Sequence, residues 1–124
     1  MLETEYAYYK VDAGILQVEY KSMPINYEIA KSIVEQRKKN YSGMPYPTLV
    51  DIRQVRSLNQ EARRFFQSTE AGAGLSAAAL LVNSIHTTII ANFFLQGVFR
   101  VSKSFPSKIL MIKKRPYNGL KNIP

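Results

Sequence analysis

His86 is the only histidine of the chain and cysteine is absent, so a metal centre or a nucleophilic triad could be built in few ways. A protein-held zinc needs three or four nitrogen, sulfur or carboxylate ligands at suitable spacing, and nothing near His86 supplies them. A Ser–His–Asp set would have to draw His86 together with Ser84. Two residues apart on one turn, their side chains do not converge, and the G-x-S-x-G elbow of hydrolases is missing. Paired carboxylates offer a third route. Asp51 ends an apolar run and Glu61 opens the next helical pattern, which can set both on one edge for acid–base work. Asp51 can equally accept loop N–H groups, and Glu61 is favoured by the helix dipole alone. "GAG" at 72–74 follows a helical pattern and precedes a strand, the reverse of a dinucleotide-binding turn, so it reads as a helix stop. No cofactor and no metal are expected, and the chain is expected not to be an enzyme.

The elements that would position these residues follow from periodicity. Leu16, Val18 and Tyr20 alternate with Gln17, Glu19 and Lys21, the period of a half-buried strand. With "EYAYYKV" before it and the turn "DAG" between, a β-hairpin is expected. Asn26 is placed to cap a helix over "NYEIAKSIVEQRKKNYSG", with Ile29, Ala30, Ile33, Val34 and Tyr41 on its apolar stripe. Arg37, Lys38 and Lys39 then form a solvated, dipole-matched end. "PYPTLVDI" reads as an interior strand. Asn59 caps a second helix whose buried stripe is Ala62, Phe65, Phe66 and Thr69. "LSAAALLV" is a further buried strand. Ser84 caps a third helix with Ile89, Ile90, Phe93 and Phe94 facing in. "FPSKILMI" is a last strand. The order ββαβαβαβ implies an α/β fold with a largely parallel sheet and helices on it.

The 124 residues suit one domain. The acidic, polar start "MLETEYAYYK" is unlike a signal peptide, and the most apolar stretch is broken by Asn83, Ser84, His86, Asn92 and Gln96, unlike a membrane span. A cytoplasmic location is expected. The net charge of +8 is uneven. Residues 1–70 hold ten basic and nine acidic residues, a net of +1, whereas residues 71–124 hold seven basic and no acidic residues, a net of +7. A basic end can mark an anionic partner. Exposed aromatics are not interleaved with the cations, as they are in single-strand binders, so nucleic acid is not the favoured partner.

The stretch "VDIRQVRSLNQEA", Val50 to Ala62, resembles the hallmark of STAS domains, the anti-sigma-factor-antagonist (SpoIIAA-like) fold. In that family a strand ends in Asp, an apolar-x-x-apolar loop follows, and an Asp-Ser-Ser-Gly-like helix start comes next. Asp51 matches the strand-end Asp, Val55 and Leu58 the apolar loop positions, and Asn59 the capping Asp. The two Ser positions hold Gln60 and Glu61, and the Gly position holds Ala62. The resemblance therefore implies the fold, a mixed sheet with helices packed on it, and a protein-binding corner, but not the phosphoswitch of the regulated members. "YYKVDAGIL" at 8–16, "YPTLVDIRQVRSLNQEAR" at 46–63 and "AAALLVNSIHTTIIANFFL" at 77–95 are also similar to a group of small STAS-like proteins of Bacteroidetes. That group ends in an amphipathic helix, which Pro116 and Gly119 oppose here. The expected organisation is one STAS-like domain over 1–112 and a basic irregular tail over 113–124, without the last helix. A change of reading frame near Leu110 would account for that ending.

The leading expectation is a signalling or interaction module that lacks the phosphorylatable Ser. Its contact surface would comprise Asp51, Arg53, Arg56, Ser57, Asn59, Gln60, Glu61 and Arg63, with Arg53 and Arg56 free in the loop to meet a protein partner or a second copy of the chain. One alternative is a small-molecule or lipid-binding domain walled by the third helix. Another is weak nucleic-acid binding through Arg100, Lys103 and Lys108.

Overall fold

The structure is a computed structural model that describes residues 1–41, 46–101 and 107–111, with side chains placed for 1–41 and 46–96. Its strands are β1 (Leu2–Glu3), β2 (Ala7–Asp12), β3 (Ile15–Tyr20), β4 (Pro24–Ile25), β5 (Tyr46–Asp51), β6 (Ser57–Leu58), β7 (Leu75–Val82) and β8 (Ser107–Met111). Its helices are α1 (Tyr27–Asn40), α2 (Gln60–Phe66), α3 (Thr69–Gly72) and α4 (Ile85–Val101). One mixed sheet runs β1-β2-β3-β5-β7-β8, antiparallel through β3 and parallel from there on. The expected basic tail, the missing last helix and the frame change near Leu110 fall outside the described residues.

Local chemistry sets most element ends. In the β2–β3 hairpin Asp12 pairs with Ile15. The two residues between, Ala13 and Gly14, have φ of 52° and 77°, as a two-residue hairpin turn requires. Asn26 Oδ1 accepts from the Ile29 N–H at 2.9 Å, and Asn59 Oδ1 accepts from the Ala62 N–H at 2.9 Å. Ser84 Oγ accepts from the Thr87 N–H at 3.0 Å. All three are the expected caps.

Two expected helix faces differ. The second helix ends at Phe66, and Ser68 caps the separate short α3, so Thr69 is exposed instead of extending the stripe. On α4 the inward face is Thr87, Ile90, Ala91, Phe94 and Leu95. That is an i, i+3, i+4, i+7, i+8 series, and it leaves Ile89 54% exposed. Apolar residues nearly surround this helix, so composition alone could not choose its buried side.

The core lies on one side of the sheet. Ala7, Tyr9, Leu16, Val18, Tyr20, Leu80 and Val82 share a face through the strand register. They join one cluster with buried residues of all four helices, among them Ile33, Phe66, Ala71 and Ile90. The other face carries Tyr8, Lys10, Gln17, Glu19, Leu49, Asp51, Ala79 and Leu81, and none of these belongs to the cluster. Parallel strands are usually covered on both faces; the described helices make a single layer on one face.

Within that layer Tyr9 donates to the Ile33 carbonyl at 2.9 Å. Arg37 does not end α1 as a solvated charge. Its Nη2 donates to the carbonyls of Ala71 and Ala73 at 3.0 and 2.7 Å, where the short α3 leaves carbonyls unpaired. Burial lowers its pKa, while the nearby Tyr20 and Tyr9 act in the opposite direction. Burial pushes the Tyr9 and Tyr20 hydroxyls well above the ordinary tyrosine value, against a smaller opposing pull from the Arg37 charge on each.

Two predictions follow from these contacts. The left-handed backbone at Ala13 costs an L-residue about 1–2 kcal/mol, and glycine's extra freedom in the unfolded chain costs about 0.5–1 kcal/mol. Ala13→Gly should therefore raise stability by roughly 0.5–1 kcal/mol; a lower urea midpoint would contradict the turn geometry. The tyrosines bind their protons more tightly folded than unfolded, so stability holds below the ordinary value of 10 and falls as pH rises above it. Each group contributes a slope of roughly 1.4 kcal/mol per pH unit. Denaturation of Tyr20→Phe should show a shallower alkaline decline than wild type, and parallel declines would remove Tyr20 from the account.

Candidate functional site

The C-terminal ends of the central strands carry two carboxylates side by side. Glu19 on β3 is in register with Asp51 on β5, and both are buried. Asp51 Oδ1 accepts from the Arg53 backbone N–H and from Arg53 Nε, each at 3.1 Å, and Oδ2 accepts from Nη2 at 2.9 Å. This two-pronged pair is shut off from water, with side chains only 5% (Arg53) and 6% (Asp51) exposed. Gln54 Nε2 donates to Glu19 Oε2 at 3.3 Å. The expectation that Arg53 is free in the loop is thus corrected. A buried carboxylate must be met by a counter-charge or hydrogen-bond donors, and Arg53, two residues on, folds back to provide both.

The loop beyond is pinned at every step. The Ile52 N–H donates to the Leu81 carbonyl at 3.2 Å and the Val55 N–H to Ile52 at 3.1 Å. Ile52 and Val55 are buried, the apolar plugs of the loop. β6 pairs in parallel with β4, and the N–H groups of Arg56 and Asn59 donate to the carbonyls of Met23 and Ile25, each at 3.1 Å. His86 Nε2 lies 2.7 Å from the Arg56 carbonyl. A carbonyl can only accept, so Nε2 carries the hydrogen, and the first turn of α4 clamps the loop.

The remaining expected residues face outward. Arg56, Ser57, Asn59, Gln60, Glu61 and Arg63 are exposed, with Asn59 engaged as the α2 cap. The Arg63 guanidinium lies over the Phe93 ring, 5.4 Å from its centre. Glu61 is exposed on α2 while Asp51 is buried under Arg53, so these two carboxylates form no acid–base pair. Asp51 is joined instead by Glu19. Simple alternation set Glu19 on the solvent side of a hairpin, and the signal that could have found it is its place at a strand end beside another strand-end acid. His86 and the β4–β6 ladder were missed as well, because their partners lie about thirty residues away in sequence.

Among the described residues no group of three or more His, Cys, Asp or Glu is placed to hold a metal ion. No helix among them is long and apolar enough to cross a membrane. The side chains of Arg100, Lys103 and Lys108 lie outside the described residues.

A mixed sheet with helices packed on it and a pinned strand-to-helix corner define an α/β protein of SpoIIAA-like fold. The same fold is found in the crystal structure of an uncharacterized protein of the DUF3478 family from Shewanella loihica PV-4, described as SpoIIAA-like. It matches with a TM-score of 0.53 and 12% identity over 93% of each chain. The chain belongs to the DUF7793 family, a domain of unknown function, whose model matches residues 9–115. No curated protein matches.

Removing Arg53 would leave a buried carboxylate without its counter-charge, a change that costs about 3–5 kcal/mol. Arg53→Met should lower stability by about 3 kcal/mol, and adding Asp51→Asn should recover a large part of that loss. Arg56→Met, on the exposed loop, should change stability by no more than about 0.5 kcal/mol. Equal effects at 53 and 56 in urea titrations would contradict the buried pair.

Proposed function

We propose that this chain is a non-enzymatic, cytoplasmic interaction module that docks a protein partner on the loop after β5, the start of α2 and the adjoining side of α4. The observation that carries this reading is an exposed apolar pair beside a fixed basic loop. Ile85 is 80% exposed and Ile89 54%. At 100° per residue, Ile85, Ile89, Phe93 and His86 fall on one arc of α4. His86 touches the Arg56 carbonyl and Phe93 touches Arg63, so the isoleucines border the loop and α2. Large apolar side chains grouped in the open commonly mark interaction sites.

The partner fits as an acidic, amphipathic segment. Its apolar side chains would cover Ile85 and Ile89, and its carboxylates would meet Arg56 and Arg63. Ser57, Gln60 and Glu61 supply polar contacts at the rim. Asp51 and Arg53 hold the backbone in place and do not touch the partner. Glu61 stands where the phospho-regulated relatives of the STAS resemblance carry a modified Ser, so the surface carries a fixed charge.

Two doubly substituted baits test this reading: Arg56→Glu with Arg63→Glu, and Ile85→Ser with Ile89→Ser, each first shown to melt as wild type does. Both should lose the same acidic partner from source-cell lysate, and a synthetic peptide of that partner's acidic segment should bind wild type with salt-sensitive affinity. Equal capture by all three baits, or loss of self-association alone, would overturn it.

A further inference from the structure

A cleft opens between the helix layer and the sheet. Its walls include Tyr20, Val34, Phe66, Leu80 and Phe94, and Arg37 is its one charged lining residue among the described residues. Its enclosed part is small, about 40 Å³ or room for about three waters, and it is open at its mouth. It shares no residue with the loop surface described above.

Two hydrogen-bond donors face this space without acceptors. Arg37 gives Nη2 to the Ala71 and Ala73 carbonyls. A guanidinium has five N–H groups, and those on Nε and Nη1 have no acceptor among the described residues; nor has the Tyr20 hydroxyl. No sealed polar side-chain atom lacks a partner among these residues, so these donors must reach free space, and the cleft is what both residues line. A phenol is protonated near neutral pH and can donate, and burial raises the Tyr20 hydroxyl further above that range. Arg37 makes no ion pair with any of the nine acidic residues, all of which are described.

We propose that this cleft binds a small monocarboxylate, its carboxylate on Arg37 and the Tyr20 hydroxyl and its short apolar tail among Val34, Phe66, Leu80 and Phe94. A single buried cation matches a single negative charge. A phosphate dianion would bring a second charge into apolar walls with nothing to balance it. A neutral alcohol would leave the cation unanswered.

The test uses the wild-type protein with hexanoate, hexan-1-ol and inorganic phosphate as probes, followed by methyl NMR. Millimolar hexanoate should move the Val34 and Leu80 methyl signals along a saturating curve. Hexan-1-ol should bind about tenfold more weakly or worse, because a charge-assisted hydrogen bond is lost, and phosphate should leave these methyls unmoved. Arg37→Gln should reduce hexanoate binding about tenfold and leave hexan-1-ol unchanged. If that variant does not fold, the comparison of probes on wild type decides alone. The proposal is overturned if hexanoate gives no saturating shift at these methyls, if the alcohol binds as tightly, or if phosphate competes for the cleft.

Discussion

A carboxylate taken out of water must be met by a counter-charge or hydrogen-bond donors, and the strand-to-helix corner is arranged around that requirement at Asp51. The side chain ends β5 on the face the helices do not cover. Left open it would be an ordinary surface acid. Instead Arg53 closes over it with three hydrogen bonds, one of them from its own backbone. That contact fixes the direction in which the chain leaves the sheet. Ile52 and Val55 then drop into the core, β6 is laid beside β4, and Asn59 arrives where it can cap α2. A buried pair of this kind adds little net stability over an apolar pair, but either member alone is costly. Its contribution here is to define one path for the loop.

The second constraint is the single helix layer. With the core on one side of the sheet, the helices must supply large side chains to fill it, which accounts for the aromatic contacts among Tyr20, Phe65, Phe66 and Phe94. The connection between α2 and β7 forms the short α3, whose unpaired carbonyls need a donor. Arg37 reaches them from α1, so a cation comes to rest among apolar groups. The cleft beside it arises where the aromatic filling stops short of that guanidinium.

Much of this was legible in the sequence where the causes are local. The hairpin follows from the alternation of Leu16, Val18 and Tyr20 around a two-residue turn. The caps Asn26, Asn59 and Ser84 follow from short polar side chains placed just before helical patterns, and the parallel pairing of β3, β5 and β7 from strands that alternate with helices. What could not be read depends on residues distant in the chain. Arg37 sits in a run of three basic residues whose local meaning is a solvated helix end, and only the position of Ala71 and Ala73 turns it inward. Glu19 obeys a solvent-facing alternation and is buried because β5 places Asp51 beside it. Ile89 has the composition of a core residue. Its exposure is decided by which arc of an almost uniformly apolar helix meets the sheet.

Asp51 and Glu61 show how position, more than residue type, separates a buried acid from an exposed one at this corner. They are ten positions apart in sequence, on either side of the same loop. Asp51 is enclosed, its oxygens are engaged by Arg53, and no partner can reach it. Glu61 lies in the first turn of α2, where backbone N–H groups point outward and favour a negative charge, and its side chain stays in water. A reader of this surface would therefore meet a constant arrangement of Arg56, Glu61 and Arg63. A phosphate added to a serine can switch such an arrangement by bringing nearly two charges and several strong acceptors; the Glu61 carboxylate brings one charge and keeps it. The pinned loop beneath holds that arrangement in place.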